Sequence, residues 1–136
     1  MDRDEFNKAV FERDDGECVL CGDDAVDAHH VMERKLFEDG GYVLANGASV
    51  CSDCHWKCEI TLVHPEEVRK VAGIEDRVLP DSFDPGQDYD KWGNVITHEE
   101  DALGREIFFR GPLFESAFQR VLEYLPDEVK CWRVYI

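Results

Sequence analysis

Apolar side chains come in short bursts along this chain, and their spacing changes several times. Residues 2–13 carry Phe6, Val10 and Phe11 at helical intervals. Asp2, Asp4 and Glu5 precede them, where the helix dipole favours anions. The pattern predicts a helix ended by Asp14-Asp15-Gly16, then a turn at Gly22-Asp23-Asp24. Residues 25–32 read as a strand. Residues 33–47, with Gly40-Gly41 and Asn46-Gly47, read as a long loop closed by a tight turn. Ala48-Ser49-Val50 is a second brief strand, and 52–60 a short helix with Ser52 as its N-cap. A further helix fits 65–72, with Pro65 at its first position, Glu66 and Glu67 in the first turn, Arg69 and Lys70 in the last, and Gly73 as its C-cap. Residues 76–91, rich in Asp, Pro and Gly, read as an irregular connection. A helix over 112–125 opens at Pro112, carries the stripe Phe114, Phe118, Val121 and Leu125, and stops before Pro126. Residues 129–136 alternate and read as a closing strand.

Composition narrows the class. The 136 residues suit one domain, or a small domain with an appendage, and 43% hydrophobic content supplies a core. Uncharged apolar runs are only a few residues long, as at Ile107-Phe108-Phe109, so no membrane-spanning helix is expected. The opening Met-Asp-Arg-Asp-Glu-Phe does not resemble a secretory signal, and a cytoplasmic location is expected. The formal net charge is -16, spread evenly: 15 acidic and 6 basic residues in 1–64, 16 and 9 beyond. Such a balance reads first as a solvated surface, and it argues against nucleic-acid binding by bulk attraction.

Four of the six cysteines form two Cys-x-x-Cys pairs, Cys18/Cys21 and Cys51/Cys54. Two thiolates two residues apart point at one tetrahedral ion from a single tight turn, and two such turns supply four ligands for a structural zinc. The 29 residues between the pairs exceed the usual finger spacing, so a sizeable segment is inserted there. Cys58 and Cys131 stand outside the pairs and read as buried thiols.

That insertion and the second pair carry His29, His30, Asn46, His55 and Glu59. Neighbours on a strand point to opposite faces, so His29 and His30 can do different jobs. His55 and Glu59, four apart on a helix, share a face. Two imidazoles and a carboxylate so disposed suit one divalent cation.

The ordered string Cys18-x-x-Cys21, Asp27-Ala28-His29-His30-Val31, Asn46-Gly47-Ala48-Ser49-Val50-Cys51, Cys54-His55-x-x-x-Glu59 resembles the HNH endonuclease motif. More loosely, Glu33-Arg34, Asp39-Gly40-Gly41-Tyr42 and Tyr89-Asp90-Lys91-Trp92-Gly93-Asn94 resemble segments of small HNH proteins of tailed bacteriophages. The resemblance implies an α+β fold: a ββα-metal finger stapled by a four-cysteine zinc site, with an N-terminal helix and a C-terminal helix-strand extension. The finger would span 1–75, and 76–136 would pack on it or mediate assembly. His30 would be the general base and Asn46 would brace its loop. His29, His55 and Glu59 would hold a catalytic Mg²⁺, Mn²⁺ or Zn²⁺, and Cys18, Cys21, Cys51 and Cys54 a structural Zn²⁺. Glu59, a hard oxygen ligand, tilts the catalytic site towards Mg²⁺ or Mn²⁺. Arg34, Lys35 and Lys57 are the nearby cations for phosphate contact.

The function so implied is metal-dependent hydrolysis of phosphodiester bonds in nucleic acid, DNA before RNA. The alternative is a non-catalytic zinc-binding phage protein that engages a host or phage protein through its acidic surface. A protein partner or a homodimer is compatible with either. No membrane partner is expected.

Overall fold

The computed structural model describes residues 1–124 and 133–135. Its first helix, α1 (Arg3–Arg13), opens on a capping box in which the Glu5 N–H donates to Asp2 at 2.8 Å and the Asp2 N–H donates to Glu5 at 3.1 Å. Phe6 and Val10 are fully buried and press on Gly47, where a Cβ would stand only 2.4 Å from Val10. The end of α1 is tied down as well. The Asp14 carboxylate accepts from the Ser49 N–H at 2.9 Å, and Arg13 donates to the carbonyls of Leu44 (3.0 Å) and Gly47 (2.6 Å).

Strand β1 (Asp27–His30) pairs antiparallel with β2 (Gly47–Val50), His30 opposite Gly47 and Asp27 opposite Val50. The expected 25–32 strand is shorter as a ladder, although the Val26 and Val31 N–H groups still bond across to Val50 and Asn46. Between the strands the chain makes two 3-10 turns, Arg34–Leu36 and Leu44–Asn46. Asn46-Gly47 is not the expected tight turn. Gly47 is extended, with φ -126°, and is small because α1 packs on it.

Helix α2 (Ser52–Glu59) follows β2 directly. Its N-cap is Cys51 rather than Ser52, because the Cys51 sulfur accepts the Cys54 N–H at 3.4 Å and fills the cap position. Helix α3 (Pro65–Ala72) ends as expected at Gly73, in the left-handed conformation.

A second sheet has the order β3 (Asp88–Tyr89), β4 (Val95–Glu100), β5 (Glu106–Phe109), β6 (Arg133–Tyr135), with β5 and β6 parallel. The segment read as wholly irregular therefore contributes β3, and β4 and β5 were not anticipated. The β4–β5 register shifts between Ile96 and Glu100, and His98 lies there with φ of 60°, so no clean alternation marks the pair. The closing strand is present at 133–135; the rest of that segment, with Cys131, and the end of the 112–125 helix lie outside the described residues.

In helix α4 (Phe114–Tyr124), of the expected stripe Phe114 is half-buried and Phe118 is turned outward, and the side chains of Val121 and Leu125 lie outside the described residues. Ala117 is fully buried while Phe118 is 37% exposed. Ala117 joins Ile60, Trp92, Ile96 and Phe108 in one core cluster, which binds the end of α2 to the second sheet and to α4. A small residue at the contact lets the helix approach the flat Trp92 closely. A second cluster, Val31, Ala48, Cys58 and Val68, fills the space between the first sheet, α2 and α3. The chain is thus a mixed α+β protein with two small sheets. No helix among the described residues is long and apolar enough to cross a membrane.

Candidate functional site

The four paired cysteines converge, with sulfur atoms within 4.8 Å of one another. Cys21 Sγ lies 3.6 Å from Cys51 Sγ. A tetrahedral ion with Zn–S bonds of about 2.3 Å needs sulfur separations of about 3.8 Å, so the cluster could hold a structural metal such as zinc. The first knuckle closes through the Gly22 N–H, which donates to the Cys18 carbonyl at 2.9 Å. Burial opposes ionisation of Cys18, but N–H groups of Cys51, Cys21 and Leu20 directed at its sulfur outweigh that and bring the thiol down to about 7. Burial, with the neighbouring sulfurs, raises Cys54. Cys58 is not part of the cluster. It packs in the second core, and burial pushes its thiol up to about 12.

His29, His55 and Glu59 form a second group whose donor atoms also fall within 4.8 Å of one another. The strand alternation is as expected. His29 faces α2, its ring centroid 5.2 Å from that of His55, while His30 faces α1, stacked on Phe6 at 4.6 Å with Tyr42 edge-on at 5.3 Å. Glu59 Oε1 lies 3.0 Å from His55 Nε2 and 3.9 Å from His29 Nδ1. His29 is 2% exposed, and its Nδ1 is buried with no hydrogen-bond partner. An orphaned buried nitrogen aimed at a carboxylate fits an added cation. On the outer side of His55, Nδ1 lies 3.0 Å from Asp27 Oδ2, the usual way an imidazole is held so that its other nitrogen can bind a metal.

The charges respond to this packing. Burial, then the positive charge of Lys91, lowers His29. The same two causes bring His30 down to about 4, so it is neutral at pH 7. Burial opposes the charged forms of both Glu59 and His55, but their mutual hydrogen bond outweighs it, with Lys91 further lowering Glu59 and Asp27 further raising His55.

Lys91 is a central member of the site to which the sequence assigned no role. Its ammonium lies 2.7 Å from Glu33 Oε2 and 2.9 and 3.1 Å from the two oxygens of Glu59. All three side chains are buried. The turn that delivers it is built on Asp90, whose carboxylate accepts from the N–H groups of Trp92 (2.9 Å) and Asn94 (2.8 Å) and from the Asn94 amide (2.7 Å). Trp92 Nε1 donates to the Glu59 carbonyl at 2.7 Å, which ties the turn to the end of α2. Gly111 passes so close to this turn that a Cβ would meet the Gly93 carbonyl at 2.2 Å.

Asn46 is fully buried and braces the loop after β1. Its Oδ1 accepts from the Met32 N–H at 3.0 Å, and its Nδ2 donates to the carbonyls of Met32 (3.0 Å) and Gly41 (3.2 Å).

A cleft of about 300 Å³ opens on this group and is lined by His30, His55, Glu59 and Lys91 among others. Arg34 and Lys35 line it; Lys57 does not, its ammonium lying 5.9 Å from the Trp56 ring. Arg3 of α1 and Arg120 of α4 also line it, so five cationic side chains face three acidic ones, Asp27, Glu33 and Glu59. The net charge of -16 is therefore not the charge of the cleft. A larger hollow of about 540 Å³, between residues 36–43 and 78–82, is lined by no histidine, cysteine or basic residue.

Of the residues sequence reasoning missed, Asp27 had a signal: it lies two residues before His29, hence on the same strand face. Lys91 lies in the Tyr89–Asn94 segment that resembles small HNH proteins, but no role followed for it from that likeness; Arg3 and Arg120 had no signal, since each looks like an ordinary solvated cation. No family model matches the chain, and neither a curated protein nor a solved structure is significantly similar to it. What the fold and site define is a mixed α+β protein whose four clustered cysteines could bind a structural metal.

Proposed function

We propose that the protein is a metal-dependent endonuclease of the HNH type, hydrolysing phosphodiester bonds in nucleic acid, DNA in the first place. One observation carries the reading. His30, neutral and with its buried Nε2 lacking any protein partner, is among the residues that line the same basic cleft as His55 and Glu59, which with His29 form a three-donor group. The order of elements, two antiparallel strands followed at once by α2, agrees with the ββα finger that the motif implies. The four thiols would staple its two ends through zinc.

In this reading His30 takes a proton from the attacking water, its imidazole fixed between Phe6 and Tyr42. Asn46 keeps the loop after His30 in place through its three hydrogen bonds. His29, His55 and Glu59 hold the divalent ion, which when bound supplies positive charge to the developing oxyanions. Arg34, Lys35, Arg3 and Arg120 give the phosphate backbone a local positive surface that the chain as a whole lacks.

The test is plasmid nicking with Mg²⁺, Mn²⁺ or Zn²⁺ by wild type and His30→Ala. Wild type should cut with at least one ion, and the variant should lose 10²-fold or more in rate, the usual worth of a general base being about 10²–10⁴. No cutting of DNA or RNA by wild type with any ion would leave the protein a zinc-binding module with an acidic outer surface.

A further inference from the structure

Lys91 is placed where a divalent ion would compete with it. Its ammonium spans both oxygens of Glu59 and one of Glu33, and the Trp92 ring covers it at 4.2 Å. Glu59 Oε1 is at once its acceptor at 3.1 Å, the partner of His55 Nε2 at 3.0 Å and the nearest carboxylate oxygen to the orphaned His29 Nδ1. A divalent ion held by His29, His55 and Glu59 Oε1 would set its two positive charges beside the Lys91 ammonium, which lies 3.1 Å from that oxygen and 2.9 Å from Oε2, so the two cations repel and compete for one carboxylate. Lys91 is among the residues that line the cleft, although its side chain is only 6% exposed, so an ammonium released from Glu59 has the cleft beside it to move towards. Glu33, which makes no contact with either histidine, can keep its 2.7 Å bond to Lys91 throughout.

We propose that Lys91 is an exchangeable cation: it neutralises Glu59 and Glu33 in the metal-free site, is displaced from Glu59 when a divalent ion binds, and then, still held by Glu33, offers its freed N–H donors to a phosphate oxygen in the cleft. The inference rests on reading His29, His55 and Glu59 as a cation site, but not on the protein cutting nucleic acid. It couples two events: ion loading creates the substrate contact, and an empty site hides it. The ion must also pay for the lost ammonium contacts, so its affinity is set below that of the bare ligands.

The test adds Zn²⁺ to full-length protein whose thiol site is already filled. By ammonium-detected NMR, Lys91 should give a protected signal before addition and exchange rapidly with water once a second zinc binds. By titration calorimetry, Lys91→Met should bind the second Zn²⁺ about tenfold more tightly than wild type, and Lys91→Arg, which keeps the charge, within about threefold of it. A protected Lys91 signal that persists at saturation overturns the proposal, as does failure to bind a second zinc. Should Lys91→Met not fold, the NMR measurement on wild type decides alone. If exchange is seen but no nucleic acid is cut, the nuclease reading fails and the exchangeable cation stands.

Discussion

The protein brings together two groups of side chains that could each hold an ion, and they are built on different terms. The thiol group is uniform and soft, and among the described residues no lysine or arginine is paired with its sulfurs. Cys18 and Cys54 are buried, Cys21 is exposed, and the four sulfurs crowd one another at the start of α2. The histidine–carboxylate group is mixed and hard, sits nearer the core, and already contains Lys91 as a neutralising charge. A site with no internal counter-charge leans on its ion for integrity. A site that carries its own can stay folded while empty, which is what a site that must admit substrate and exchange ions requires.

The sharpest way to break this contrast is to remove one ligand from each group. Cys51→Ser should abolish tight zinc binding and the cooperative thermal transition. Structural zinc in small sites is worth about 10–16 kcal/mol, comparable with or above the whole stability of a domain. Cys51 also caps α2, so its loss strikes twice. His55→Ala, by contrast, should keep one zinc per chain and a cooperative melt within several degrees of wild type. Circular dichroism melts with metal analysis of both variants make the comparison. If Cys51→Ser melts like wild type, the thiol group is not the structural one.

A smaller effect should separate the groups by pH. Asp90, fully buried, builds the turn that delivers Lys91, and burial raises its carboxyl to about 7 against the N–H groups that bond to it. Its folded-state value lies above the ordinary 3.8, so the folded state holds the proton more tightly than the unfolded. The stability this gives is present below about pH 4 and is lost as pH rises towards 7, by an amount on the order of a few kcal/mol. Asp90→Asn cannot ionise. Its stability in urea should therefore gain on that of wild type as pH rises from 4 to 7. A constant gap across that range would mean that Asp90 does not titrate there.

The two groups also differ in how far the sequence exposed them. The thiols, the His29/His30 alternation and the His55–Glu59 face follow from spacings of three, one and four positions, which local geometry turns directly into one shared turn, two opposite strand faces and one helix face. Lys91 comes from 32 positions beyond Glu59, carried by the Asp90 turn; the Tyr89–Asn94 segment resembles small HNH proteins, but nothing in it tells that the lysine is buried against Glu59. The second sheet was hidden for a related reason. β3 is two residues long, and β4 breaks its register near His98, so neither shows a sustained alternation. On α4 the sequence pointed to Phe118 as an inward residue, but the small Ala117 makes the close contact and Phe118 stays outside.

The finest test concerns a residue that belongs to neither group. Asp27 is exposed, yet its carboxylate meets His55 Nδ1 at 3.0 Å. By accepting from Nδ1, it leaves Nε2 as the nitrogen whose lone pair can face an ion, in place of the proton that Nε2 shares with Glu59 when the site is empty. Partners of this kind typically account for a 10–100-fold change in metal affinity, and the exposure of Asp27 points to the lower end. Asp27→Ala should weaken divalent binding at His29, His55 and Glu59 about tenfold by calorimetry. It should leave zinc at the thiols and the melting temperature nearly unchanged, because the Asp27 side chain is exposed and its carboxylate bonds to His55 rather than to a cysteine. An equal loss at both groups would mean that Asp27 acts through β1 as a whole, and the two sites would have to be treated as one cooperative unit.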